Sequence, residues 1–199
     1  MGIFDKTQYK KGGFTIPELI VVVIVIAILA GIALAVYPGY QKRNRDNERK
    51  SDISQIAAAI TAYAVQNNNY VTTGSGCGLS GNGNGFLNAS TGSYPRAIVD
   101  CLQDAKVLNS GVFSDPSGCT YDSGGNCGSS GGAPVQAYMK ETCTKSGVTV
   151  SYVLAYLETQ PRKDAEVDTL CDSGTVNGFT SVTQKWGTNY GMNYYVPVK

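Results

Sequence analysis

Few side chains in this sequence have both the type and the setting for chemistry, and the first is a carboxylate, Glu18. It stands at the mouth of a run, Leu19 to Val36, that holds no charged residue. A carboxylate beside so much apolar surface is costly unless a cation or hydrogen-bond donors meet it. A second group is acidic: Asp164, Glu166, Asp168 and Asp172 fall close together. Such oxygen ligands suit Ca²⁺, and Asp164, Glu166 and Asp168 are weak calcium candidates, because their spacing is not that of an EF-hand loop. A solvated acidic loop is the simpler reading. The third group is six cysteines, Cys77, Cys101, Cys119, Cys127, Cys143 and Cys171. They include no Cys-x-x-Cys pair, and an even count after a membrane-length segment reads as disulfides formed in an oxidising compartment. Their spacing does not choose a pairing.

Other chemistry is excluded by what the sequence lacks. There is no histidine, which removes His-based triads, the commonest general base and the commonest metal ligand. The run Gly81-Asn82-Gly83-Asn84-Gly85 looks like a phosphate cradle but lacks the following Lys-Ser/Thr. No catalytic constellation and no cofactor motif emerge, so the sequence reads as that of a non-enzyme. Sixteen basic residues against 15 acidic ones leave a net charge of +1, without the basic footprint of a nucleic-acid-binding domain.

The apolar run must position Glu18. At the helical rise it spans about 27 Å, close to a bilayer's hydrocarbon core. Lys10 and Lys11 precede it, which predicts a cytoplasmic N-terminus, while Lys42, Arg43 and Arg45 beyond it argue the other way. Ala33-Leu34-Ala35 resembles a signal-peptidase site, but Glu18 is out of place in an ordinary signal peptide. Pro17 suits the first turn of a helix. Pro38, beside Gly39, predicts a kinked or locally unwound section around Val36–Tyr40.

Beyond Tyr40 a helix continues amphipathically. Ile53, Ile56, Ala57, Ile60, Tyr63 and Ala64 form one stripe, with Asp52, Gln55, Ala59 and Gln66 on the opposite face. Asn67-Asn68-Asn69 ends it, giving one helix over Phe14 to Gln66. The mix Lys42, Arg43, Arg45, Asp46, Glu48, Arg49, Lys50 reads as solvated surface with i,i+4 pairs, with salt bridging between subunits as the alternative. Val71 to Tyr94 is an irregular loop by composition, and Asn88-Ala89-Ser90 within it fits a glycosylation acceptor. A short helix is expected over Ala97 to Leu108, then turns over Ser114 to Pro134. Val148, Val150, Tyr152, Leu154 and Tyr156 alternate with Thr149, Ser151, Val153 and Ala155, as in a strand with one strongly buried face. Val135–Thr142 pairs with it across a turn at Cys143–Gly147, and Phe179–Trp186 and Tyr194–Val198 are further strands. The fold class is α+β: a long N-terminal helix packed on an antiparallel sheet of three to four strands.

Lys10-Lys11-Gly12-Gly13-Phe14-Thr15-Ile16-Pro17-Glu18-Leu19, followed by the apolar run, resembles the class III signal of type IV pilins and pseudopilins. The resemblance implies a pilin-like fold and cleavage between Gly13 and Phe14 by a prepilin peptidase, with N-methylation of Phe14. It also implies that Glu18 pairs with the Phe14 amine of a neighbouring subunit. Such a pair of buried charges sets register more than it adds stability. The implied organisation is a leader at 1–13, a membrane and filament-core helix at 14–39, and a globular head at 40–199. Within the head, the helix continues over 40–67, loops occupy 68–133 and the sheet 134–199. The implied partners are copies of the same chain, the assembly machinery and, before assembly, cytoplasmic-membrane lipid. The function expected is that of a type IV pilus subunit, membrane-bound as precursor and then extracellular. The alternatives are a type II secretion pseudopilin or minor pilin, and an uncut membrane-anchored binding protein.

Overall fold

The computed structural model describes residues 13–72, 74–90, 92–111, 113–119, 127, 136–172 and 184–199. Lys10, Lys11 and most of the leader lie outside the described residues, as do Val135 and Phe179. The chain divides into two compact units, Met1–Gln41 and Lys42–Lys199.

Helix α1, Ile16–Asn67, contributes to both units. In the first unit it stays α-helical across Pro38, where unwinding was expected. Proline removes one backbone donor and Gly39 is a poor helix former, yet the helix continues unbroken from Ile16 to Asn67. In the second unit, Ile53, Ile56, Ala57 and Ile60 are buried as the stripe predicts. Ala59 and Asp52 depart from the expected polar face: Ala59 is buried, and half-buried Asp52 accepts a 2.7 Å hydrogen bond from the Tyr138 hydroxyl.

Strands β1 (Gly85–Phe86), β2 (Met139–Lys145), β3 (Val148–Ala155) and β4 (Tyr194–Val198) form one antiparallel sheet in the order β1-β2-β3-β4. The β2–β3 hairpin turns on Ser146 and Gly147, with φ of 51° and 78°. Two consecutive positive φ values match the strand twist, and glycine takes the second without strain. The strand therefore runs through Cys143 to Lys145, where the sequence predicts a turn. The edge strand β1 comes from the segment expected to be irregular. Trp186, expected in a strand, lies instead in a π-helical segment, Gln184–Asn189.

Both faces of the sheet are covered, not one. Val153 and Ala155 pack with Ile53, Ile56 and Ile60 of α1, joined by Tyr138 and by the short helix α2, Ile98–Asp104. The alternate residues, Tyr152 and Leu154, pack with Met139, Trp186 and Met192. The helix thus covers the face that alternation assigned to the more polar set. All six cysteines are paired: Cys77–Cys101, Cys119–Cys127 and Cys143–Cys171.

Candidate processing and assembly site

At the start of α1, Thr15 and Glu18 cap the helix reciprocally. The Thr15 N–H and hydroxyl donate to Glu18 Oε2 at 2.9 and 2.7 Å, and the Glu18 N–H reaches back to the Thr15 hydroxyl at 3.4 Å. This is a capping box, which satisfies donors that the first helical turn leaves open. Its signature, Thr-x-x-Glu, is present in the sequence. Pro17 sits in the first turn, where a missing N–H costs nothing. Both Thr15 bonds end on Oε2, which leaves Oε1 for an incoming donor.

The surface beside this carboxylate is apolar and bare. Every residue from Gly13 to Gln41 is exposed, including Phe14 at 87% and Leu34 at 77%. Among the described residues one helix is long and apolar enough to cross a membrane, and it is α1. An apolar surface of this extent needs lipid or protein around it.

Of the charged residues that follow, Lys42, Arg43 and Glu48 are exposed as expected, whereas Arg45, Asp46 and Arg49 form a clamp. Arg49 and Asp46 are buried at 0% and 2% exposure. Arg49 forks onto Asp115 through Nε at 2.7 Å and a terminal nitrogen at 2.8 Å, and its other terminal nitrogen contacts Asp46 at 3.0 Å and Glu158 at 2.9 Å. Arg45 forks onto Glu158 at 2.6 and 2.7 Å. Asp46 also accepts the N–H groups of Glu158 and Thr159, at 2.8 and 2.9 Å, and the Thr159 hydroxyl at 2.6 Å. Burial alone would raise the pKa of Asp46 and Asp115. Hydrogen bonds from Thr159, the 158–159 backbone and Arg49 hold Asp46 below the usual range, and those from Arg49 and Ser117 do the same for Asp115. This cluster fixes the second part of α1 to the chain at Asp115 and at Glu158–Thr159.

Residues 9–34 match the family described as "Prokaryotic N-terminal methylation motif". The matched span begins before Gly13 and Phe14, includes Thr15 and Glu18, and takes in most of the bare helix. Over that span the chain is similar to type IV pilin-like proteins. Its curated relatives include the "Type II secretion system core protein G" of Pectobacterium carotovorum subsp. carotovorum, 27% identical over 73 residues, which are 37% of this chain and 47% of that one. The proteins of the same description from Aeromonas hydrophila and Escherichia coli (strain K12) are each 31% identical over 67 residues. Those residues are 34% of the pilin-like chain and 47% and 46% of the two relatives. The pilin-like chain thus spans about half the length of the curated relatives it matches. No solved structure matches it at a significant level.

Glu166 and Asp172, two of the acidic residues grouped by sequence, turn to different partners. Glu166, in the short helix α3 (Asp164–Asp168), pairs with Lys163 at 3.0 Å and accepts the Tyr195 hydroxyl at 2.5 Å. Burial and the Glu166 contact push the Tyr195 phenol up to about 12. Asp172 lies instead against the hairpin turn, accepting the Gly147 N–H at 3.4 Å. Among the described residues no three His, Cys, Asp or Glu side chains gather as a metal site would require. At the Asn88-Ala89-Ser90 acceptor pattern, the Asn88 amide nitrogen is occupied by the Phe113 carbonyl.

Proposed function

We propose that this pilin-like chain is a structural subunit of a secretion pseudopilus, cut between Gly13 and Phe14, methylated at Phe14 and polymerised through the first part of α1. The observation that carries the reading is the bare apolar helix with a single carboxylate at its mouth. Cleavage creates a cationic amine on Phe14. A neighbour's Glu18, holding one oxygen on Thr15, has the other to offer that amine. In an apolar filament core the two charges compensate each other, and a subunit in the wrong register leaves both bare.

The choice of a pseudopilus over a surface pilus rests on the relatives, which are named as secretion-system core proteins. It favours the pseudopilin alternative over the surface-pilus expectation. On this reading the precursor sits in the cytoplasmic membrane with the prepilin peptidase and assembly machinery as partners, and the filament stays within the envelope. The three disulfides favour the second reading, a type IV pilus, because an exposed fibre gains most from covalent staples.

Deleting the gene and following exported enzymes tests the choice. The expected result is that those enzymes accumulate inside the envelope while sheared surface fibres are unchanged. Normal secretion with loss of surface fibres would overturn the pseudopilus and establish the pilus.

A further inference from the structure

A groove of about 640 Å³ opens in the second unit between the loop after α1, the turn before β1 and the hairpin end of the sheet. Its size is that of a small-molecule site. Its lining is neutral throughout: four asparagines, four aliphatic hydroxyls, three valines and Tyr70. Tyr70 is 45% exposed, so one ring stands at the rim.

The groove is built rather than left over. Lys140 of β2 is fully buried, and its ammonium donates to the Val71 carbonyl at 3.1 Å and the Gly83 carbonyl at 2.9 Å. That contact holds the two wall loops together from the protein side. Val71 adopts φ +50°, a strained conformation for a β-branched residue, and Gly83 has φ +75°. A Cβ on Gly83 would stand 1.6 Å from the Val71 carbonyl oxygen, so no other residue fits. On the walls, Asn69 Oδ1 accepts the N–H and hydroxyl of Thr72, and Asn82 Oδ1 accepts the Asn84 N–H.

One polar group among the lining residues is incomplete. Asn84 is only 9% exposed, and its amide nitrogen donates to the Thr142 hydroxyl at 3.0 Å. Its Oδ1 is buried without a partner among the described residues. Turning the amide over exchanges the two ends but leaves one still unmet, since Thr142 offers a single hydroxyl. Buried amides are ordinarily satisfied on both ends.

The chemistry of the lining selects a ligand class. An anion or cation would find no countercharge here, and desolvating it would be unfavourable. A wholly apolar ligand would strip water from the asparagines and give nothing back. A sugar presents hydroxyls that both donate and accept, matching amides and hydroxyls, together with C–H faces that lie on an aromatic ring or on valines. We propose that this groove binds a neutral oligosaccharide, with Tyr70 as the stacking surface and the hydroxyls of Thr142 and Thr149 as hydrogen-bonding groups.

Saturation-transfer NMR on the full chain in detergent micelles, with N,N′-diacetylchitobiose and cellobiose as probes, tests this. Transfer to the ring protons of at least one sugar is expected. Tyr70→Ala should weaken that binding about fivefold to tenfold, the scale of losing one ring contact. Thr149→Glu, which puts a charge at an exposed lining position, should weaken it further, and Tyr37→Ala on α1 should leave it unchanged. Absence of transfer to both sugars overturns the proposal, as does transfer that survives Tyr70→Ala and Thr149→Glu. Protection of Tyr70 on polymerisation, without sugar transfer, would assign the groove to a neighbouring copy and equally overturn it.

Discussion

Arg49 and Asp115, 66 residues apart, meet through two parallel hydrogen bonds of 2.7 and 2.8 Å with both side chains removed from solvent. This fork, with Asp46 and Glu158 around it, ties α1 to two loops that carry no regular structure at the contact. A hydrophobic stripe can slide along a sheet face, whereas a bidentate guanidinium–carboxylate pair has one geometry. The clamp therefore sets where the head sits on the second part of α1.

Replacing Arg49 with Met removes the cation and leaves Asp46 and Asp115 buried among uncompensated carboxylates. A loss of about 3–5 kcal/mol is expected, read from denaturant unfolding of the purified chain. Arg49→Lys should recover only part of it, because an ammonium cannot fork. The double variant Arg49→Met/Asp115→Leu should be milder than Arg49→Met alone. A single-variant loss below about 1 kcal/mol, as for a surface pair, would remove the clamp from the description.

The same cluster gives the chain an acid limit. Asp46 and Asp115 are depressed by the bonds described above. Glu158 is held down first by Arg45, against some desolvation, and then by Arg49. When folded carboxylates are depressed, the unfolded chain takes up protons first as pH falls. Their stabilisation is complete above the ordinary values of 3.8 for Asp and 4.5 for Glu, and is lost as pH drops through the lowered folded values. Unfolding midpoints measured from pH 6 down to pH 2 should fall steeply below about pH 4 in the wild type, and less steeply in Arg49→Met/Asp115→Leu.

Lys140 acts in the opposite pH range. Burial lowers its pKa from 10.5 to about 8, with Glu141 partly offsetting the shift. Between about pH 8 and 10.5 the unfolded chain holds the proton that the folded chain has released, so stability should rise with pH there. The neutral amine can still donate to Val71 and Gly83. Urea titrations of wild type and Lys140→Met at pH 7.5, 9 and 10.5 should show the wild-type value gaining on the variant as pH increases. A flat difference would contradict the buried ammonium.

Assembly and capping should separate at the start of α1. Glu18→Gln keeps a side chain that can cap but removes the charge, so mature chains should accumulate in the membrane without entering filaments. Thr15→Val keeps the charge and loses the hydroxyl, a cap weakened by about 1 kcal/mol, and should reduce filament yield without abolishing it. Sedimentation of filaments against membrane-bound chain reads both. Equal filament yields from wild type and Glu18→Gln would contradict a charge-pairing role.

Periodicity disclosed the elements whose partners are spread along a face: Ile53, Ile56 and Ile60 announced the core stripe, and the alternation from Val148 to Ala155 announced a strand. It could not disclose the clamp. Arg49 looks like surface beside Arg45 and Glu48, and only Asp115 and Glu158, remote in sequence, make its burial tolerable. The second covered face was hidden for a related reason. Trp186, expected in a strand, covers Tyr152 and Leu154 from a π-helical segment, together with Met192 from a stretch without regular structure. Lys140 reads as an ordinary outward lysine on β2, and nothing local says that two carbonyls from the loop side await it. The Thr15–Glu18 cap is legible by its spacing, within the same residues that carry the methylation motif.

The most direct measurement is the intact mass and N-terminal residue of the chain recovered from the assembled fraction. A chain that begins at N-methylated Phe14 is the expected result, and it joins processing to polymerisation in one spectrum. A chain that still carries Met1, or one that begins at Val36, would contradict cleavage after Gly13 and with it the role given to Glu18.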